Sequence, residues 1–208
     1  MKIVFFGDSI TDMSRNRDSN ADEVWTYGSG YPMFVASALY REDPTKYRVV
    51  NRGIGGDRSA ELYARIDRDV WNEKPDILSI LVGINDVWHA INSQSGIKAP
   101  RFEMIYDMML QETHVNLPHA KIILCEPFVL KGRATAEQFD TFMQIYAYAD
   151  IVRKLAIKHN AYFLPLQEKF DEAANKFGAE NYLYDGVHTD VAGATLIADE
   201  WIKLFKTI

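Results

Sequence analysis

The 208-residue sequence predicts an α/β fold, a parallel sheet with helices on both faces. Three observations predict it. Short apolar runs of strand length alternate with longer segments whose apolar residues recur at helical spacing. The runs carry almost no polar residue; residues 77–82 are interrupted only by Ser79, as suits a parallel strand covered on both faces. Most runs stop at a Gly-, Asp- or Asn-containing turn and are followed by a helical segment, the punctuation of βαβ units.

In chain order, residues 2–6 form the first strand, closed by Gly7-Asp8-Ser9. Residues 13–30 are polar and read as a long loop. Residues 31–40 form a helix with Phe34, Val35, Ala38 and Leu39 on one side, and residues 48–51 the second strand. A glycine-rich turn over residues 52–57 leads into a helix over residues 59–71, with Leu62, Ile66 and Val70 at helical spacing. The third strand, residues 77–82, ends at Gly83-Ile84-Asn85-Asp86, and residues 87–100 read as a loop or irregular helix. A helix over 101–115, a strand over 121–125, its end at Glu126-Pro127 and a loop over 128–135 follow. One long helix is expected over 137–159, then a strand over 161–164, a helix over 168–177 and a last helix over 191–205. Five strands fit the flavodoxin-like order 2-1-3-4-5, a three-layer α/β/α sandwich. Residues 1–208 are expected to form one domain, with no repeats and no linker.

The composition, 48% hydrophobic and 25% charged, is that of an ordinary globular chain with material for a real core. A formal net charge of -6 argues against nucleic acid or an anionic membrane as partner. One cysteine, Cys125, excludes an intrachain disulfide, and its apolar run marks it as a buried thiol. The apolar run after Lys2 is too short for a signal peptide, and no stretch reaches membrane-spanning length, so a cytoplasmic location is expected. A homo-oligomer is a further expectation, since soluble chains commonly assemble symmetrically.

In a parallel sheet, the turns after successive strands lie on one edge, where ligands bind. Gly7-Asp8-Ser9 puts a hydroxyl there, although Gly, Asp and Ser are also plain turn residues. Serine is a poor nucleophile alone and needs a base, an orienting group and donors for an oxyanion. Asp185 and His188, three apart around Gly186, suit a carboxylate accepting from imidazole Nδ1–H while Nε2 faces outward. The bland reading is that they cap the following helix. Gly56 can aim a bare N–H outward from its βα turn, Asn85 carries a donor amide, and Ser9 N–H is a third donor. Each feature has a structural explanation alone. Four together at the predicted edge point to nucleophilic acyl chemistry.

Gly7-Asp8-Ser9, Gly56 within 51–57, Gly83-Ile84-Asn85-Asp86 and Asp185-Gly186-Val187-His188 resemble, in order, the four sequence blocks of the SGNH (GDSL) hydrolases. The resemblance implies Ser9 as nucleophile, Asp185 and His188 as the rest of a triad, and Ser9, Gly56 and Asn85 as the oxyanion hole. It implies the α/β/α sandwich already predicted, and no metal or cofactor. Gly55 is a rival donor, but the spacing from Asn51 favours Gly56. Trp25 to Tyr31 and Gly83 to Trp88 further resemble intracellular acetylxylan esterases. That implies an acetylated small-molecule carbohydrate as substrate; a lipase or thioesterase acting on longer acyl chains is the alternative within the family.

Residues Asp8, Trp25, Tyr27, Trp88, His89 and Tyr184 are the candidate substrate contacts, aromatic faces being suited to sugar rings. Asp12, Arg15, Arg17, Asp57 and Arg58 suit a hydrophilic alcohol portion. Two rival classes find less support in the sequence. Asp8, Asp12, Asp86, Asp185 and His188 would be ligands in a metal-dependent phosphoesterase, but no ligand-spacing motif is present. Residues 53–58 imitate a dinucleotide turn, but Arg58 stands where the third glycine belongs.

Overall fold

A computed structural model describes residues 1–18 and 23–208. It places β1 (Lys2–Gly7), β2 (Arg48–Gly53), β3 (Ile77–Leu81), β4 (Lys121–Cys125) and β5 (Tyr162–Leu164) in one sheet. The order is β2-β1-β3-β4-β5 and all four pairings are parallel, as expected. Each crossover carries helix: α2 (Tyr31–Glu42), α3 (Ser59–Ile66), α5 (Ala99–Asn116) and α7 (Ile145–Lys158), with α8 (Gln167–Phe177) and α9 (Val191–Phe205) after β5. The helices α1 (Ser9–Asp12), α4 (Ile84–Asn92) and α6 (Phe139–Phe142) sit in the connections.

Two consecutive residues of β1 show which helix covers which face, because neighbouring strand side chains point opposite ways. Phe5 packs edge-on against Tyr31 of α2 and against Trp201 of α9, at 5.3 and 5.1 Å between ring centroids. Phe6 lies under the guanidinium of Arg65 in α3, on the other face. All four aromatic residues are fully buried, and each such side chain contributes on the order of 2–3 kcal/mol through its apolar burial. Ser79 is satisfied in the core: its hydroxyl oxygen accepts from Trp201 Nε1 at 3.0 Å and lies 3.5 Å from Cys125 Sγ. Burial pushes that thiol up to about 12, so it is inert at neutral pH.

Several local readings are corrected. The 13–30 segment contains a 3-10 turn at Val24–Tyr27, and residues 19–22 of that expected loop lie outside the described residues. The loop or irregular helix expected over 87–100 includes a helix, α4, that starts earlier, at Ile84, and takes in Asn85 and Asp86, because Gly83 at φ 142 turns the chain sharply. The segment over 59–71 ends as a π turn, Asp67–Trp71, with Asn72 N–H bonded to Asp67 five residues back. The long helix over 137–159 is broken at residues 143–144, where bonds such as Gln144 N–H to Thr141 tighten to three-residue spacing.

Register brings the strand ends level, since Gly7 pairs with Gly53 on one side and Leu81 on the other. The turns holding residues 8–9, 54–57 and 83–85 therefore leave one edge together. Arg65 ties that edge down, donating to Gly7 O at 3.1 Å, Arg52 O at 2.8 Å and Asp57 Oδ2 at 2.7 Å.

Candidate active site

β1 stops at Gly7 and α1 begins two residues later. Asp8 caps that short helix, its Oδ1 accepting Ile10 N–H at 2.9 Å, and Met13 closes it in a left-handed conformation at φ 37. Ser9 therefore sits at the first position of a helix raised on a strand end. Its Oγ lies 2.8 Å from His188 Nε2.

His188 is held from the other side by Asp185. Asp185 Oδ2 lies 2.7 Å from His188 Nδ1, while Oδ1 accepts the N–H groups of Val187 and His188 at 2.9 and 2.8 Å. Three bonds thus converge on one carboxylate, which cannot rotate without losing them. The loop after β4 braces this turn: Leu130 N–H donates to Gly186 O, and Ala134 N–H to Asp185 O. The fit is tight. Gly186 adopts φ 99, and a Cβ there would lie 2.4 Å from Thr135 Oγ1. Nothing in the sequence linked residues 130–135 to residue 186. Glu126, expected as a polar group at this edge, is instead spent on backbone, its Oε2 accepting from Leu166 and Gln167 N–H at 2.7 and 2.9 Å.

Donors for negative charge are also present. Gly55 N–H is occupied by Asp12 Oδ2 at 2.8 Å, which leaves Gly56 as the free donor of the pair. Among the described residues, no protein acceptor takes the N–H of Gly56 or of Ser9. Gly56 has φ 86, a conformation that side-chain-bearing residues adopt at a cost. Asn85 is buried, and its Nδ2 donates to Asp57 O at 3.0 Å, which orients the amide and leaves its second N–H unused. Asn85→Ala is expected to lower kcat by about 10²–10³-fold, the usual cost of one oxyanion donor, with little change in KM. Steady-state kinetics on p-nitrophenyl acetate measure both.

The charges reinforce the geometry. The hydrogen bond that His188 donates to Asp185 raises the His188 pKa above 6.5; burial opposes this, and the charges of Asp185 and Asp8 assist. Burial alone would raise Asp185, but the His188 side chain and the N–H groups of His188 and Val187 outweigh it and hold the carboxyl below 3.8. Behind the site, burial raises Asp8 and Asp86 to about 7, although Ser59 N–H and Oγ–H donate to Asp86. Unfolded aspartates titrate near 3.8. Between about pH 4 and 7 the native state holds protons that the unfolded chain has released, so stability falls as pH rises. His188 adds the same sign, since a raised base loses its contribution as pH rises through its folded value. The melting temperature is expected to be lower at pH 8 than at pH 5.5, and Asp8→Asn to narrow the gap. An unchanged gap in that variant would place the linkage elsewhere.

The cleft over Ser9 has a volume of about 440 Å³ and is lined by Ser9, Asp12, Met13, Ser14, Arg15, Arg17, Gly55, Tyr184 and His188. Of the candidate substrate contacts, Tyr184 lies in this lining, exposed, with its ring stacked on His188 at 5.9 Å and 18°. Trp88 flanks His188 on another side, 5.9 Å away, and also packs on Phe142. Asp8 is corrected: it is fully buried as a helix cap. Tyr27 is corrected too, being buried with its hydroxyl donating to Tyr40. Trp25 is exposed and His89 half-buried, and neither lines the cleft. Met13 and Ser14 were missed; their signal is only their place just after the serine turn. The carboxylates of the metal reading are dispersed, with Asp12 on Gly55 and Arg17, Asp86 on Ser59, and Asp185 on His188. Among the described residues, no group of three His, Cys, Asp or Glu could hold a metal ion.

The chain is similar to known proteins along nearly its whole length. Residues 5–196 match the GDSL-like Lipase/Acylhydrolase family model. An acetylxylan esterase of Geobacillus stearothermophilus is 32% identical over 97% of this chain and 92% of its own. The crystal structure of Axe2, an acetylxylan esterase of that organism, superposes with a TM-score of 0.85 at 31% identity, over 98% of this chain and 93% of the other. A chain described as a GDSL-like lipase from Parabacteroides merdae superposes at 0.92 and 34% identity, over 100% and 96% of the two chains.

Proposed function

Because the chain belongs to the GDSL-like lipase/acylhydrolase family and is a carboxylic ester hydrolase, we propose that it removes acetyl groups from hydroxyls of small saccharides, such as xylo-oligosaccharides, with Ser9 as nucleophile. One observation carries this reading: Ser9 Oγ, His188 and Asp185 stand in line at 2.8 and 2.7 Å on the floor of an open polar cleft.

In the proposed reaction, His188 Nδ1–H donates to Asp185 and Nε2 takes the Ser9 proton as Oγ attacks the acetyl carbonyl. The carbonyl oxygen becomes an oxyanion and is met by the N–H groups of Ser9 and Gly56 and the Asn85 amide. Collapse of the tetrahedral intermediate breaks the ester C–O bond. Nε2–H then protonates the departing sugar oxygen, leaving acetyl-Ser9. Water, deprotonated by Nε2, attacks the acyl carbon, and Ser9 leaves with its proton restored as acetic acid forms. Asp185 stays ionised throughout and stabilises the imidazolium.

The sugar reading draws on the cleft lining. Ser14, Arg15 and Arg17 offer hydrogen-bond donors, and Tyr184 offers an exposed ring beside His188. Among the described residues, no helix is long and apolar enough to cross a membrane. The test is product analysis on acetylated xylo-oligosaccharides beside p-nitrophenyl esters from acetate to octanoate. Release of acetate, with kcat/KM falling along the ester series, is expected. A rise with chain length would favour the long-chain acylhydrolase or thioesterase reading.

A further inference from the structure

Arg15 is an unusual arginine. Its side chain is only 6% exposed, yet of its five N–H donors only Nε–H reaches a protein acceptor, Gly53 O at 2.8 Å. Asp12 Oδ1 is 4.0 Å from that nitrogen, too far to be a hydrogen bond. Among the described residues, nothing takes the N–H groups at the far end of the guanidinium. Those N–H groups are not sealed from solvent, so a ligand group entering the cleft can reach them.

The surroundings fit such a group. Arg15 and Arg17 line the Ser9 cleft and also an adjoining small cavity of about 60 Å³, whose wall includes Asn16, Asn51 and Arg52. That volume has room for a few atoms but not a second sugar ring. Arg52 Nε is buried there without a partner. Three arginines thus line one small cavity, against the carboxylates of Asp12, paired with Arg17, and Glu73, paired with Arg52. Burial, with the charges of Arg52 and Arg17 contributing, lowers the Arg15 pKa to about 10 despite Asp12, so the group stays charged at neutral pH.

We propose that Arg15, Arg17 and Arg52 form a carboxylate-binding subsite beside the serine, so that the preferred substrate is an acetylated saccharide carrying a uronic acid. The planar fork of arginine matches a carboxylate with two parallel N–H bonds. A sugar whose ester carbonyl lies at Ser9 would extend along the Met13–Arg17 wall, and its acid group would enter where Arg15 joins the two spaces. This inference rests on the saccharide reading above for its substrate, but not for its anion site.

Two measurements decide it. In the first, D-glucuronate, D-glucose and acetate compete with p-nitrophenyl acetate in the wild type, Arg15→Gln and Arg52→Gln, with melting temperatures confirming folding. Glucuronate is expected to inhibit at concentrations about tenfold below glucose, the value of one charge-assisted pair. The difference should vanish in Arg15→Gln, shrink in Arg52→Gln, and weaken with added salt. Equal inhibition by glucuronate and glucose in the wild type, or a difference retained in Arg15→Gln, overturns the subsite. Acetate acting as strongly as glucuronate overturns the uronate assignment in favour of a free small carboxylate.

In the second, initial rates are compared on acetylated xylo-oligosaccharides of equal length with and without a glucuronic acid branch. A higher kcat/KM on the acidic substrate is expected, and equality overturns the substrate preference. If neither oligosaccharide loses acetate, the saccharide reading fails, and the glucuronate competition still decides the anion site.

Discussion

Ser9→Ala is expected to lower kcat on p-nitrophenyl acetate by roughly 10⁴–10⁶-fold while leaving the fold intact. The loss is large because the hydroxyl supplies the bond-forming atom; the oxyanion donors that remain can only assist attack by water. The fold survives because Ser9 is half-buried at a helix start, and its Oγ bonds only His188. Circular dichroism melting beside the rate measurement separates the two effects. A serine-directed phosphonylating reagent should add one adduct to the wild type and none to the variant. Turnover within tenfold of wild type would remove Ser9 from the mechanism.

Asp185→Asn should cost about 10⁴-fold in kcat, the loss expected when an imidazole is held in the wrong tautomer. Asparagine can keep Oδ1 on the N–H groups of Val187 and His188, so the turn persists. Its NH₂ then replaces Oδ2 opposite His188 Nδ1 and donates where Asp185 accepted. Nδ1 must become the acceptor, the proton moves to Nε2, and Nε2–H points at Ser9 Oγ with no lone pair to receive its proton. The raised pKa of His188, caused first by its bond to Asp185, should fall as well. The acid limb of the residual pH–rate profile therefore shifts to lower pH. A loss below tenfold would leave Asp185 only its turn-capping bonds.

Ser9, Gly56 and Asn85 were legible in the sequence because a parallel sheet sends every strand end to one edge, and strand ends are marked by apolar runs; Asp185 and His188 were legible from their three-residue spacing in the loop before the last helix. Gly56 was separable from the chemically identical Gly55 only by its spacing from Asn51; the structure supplies the physical reason, since Asp12 Oδ2, 2.8 Å from Gly55 N–H, occupies that donor and leaves Gly56 free. The substrate contacts were read less well. Asp8 and Tyr27 carry groups suited to a sugar, but burial is a property of packing, and both face inward. Helix limits were less legible: Gly83, read as a strand end, also opens α4, so Asn85 sits in a first helical turn ahead of the loop or irregular helix expected from residue 87.

What the sequence determines by itself is therefore local and periodic. It carries the strand and helix alternation, the serine turn, and the Asp185–His188 pair, whose partners are three residues apart. The tertiary structure alone decided that His188 reaches Ser9 across 179 positions, that residues 130–135 brace Gly186, and that Arg15 is buried with donors to spare. The reason is physical. Short-range pattern follows from backbone geometry and side-chain shape, which each residue carries with it. Burial, charge pairing and which hydrogen-bond donors remain unused depend on what the rest of the chain brings within a few ångströms.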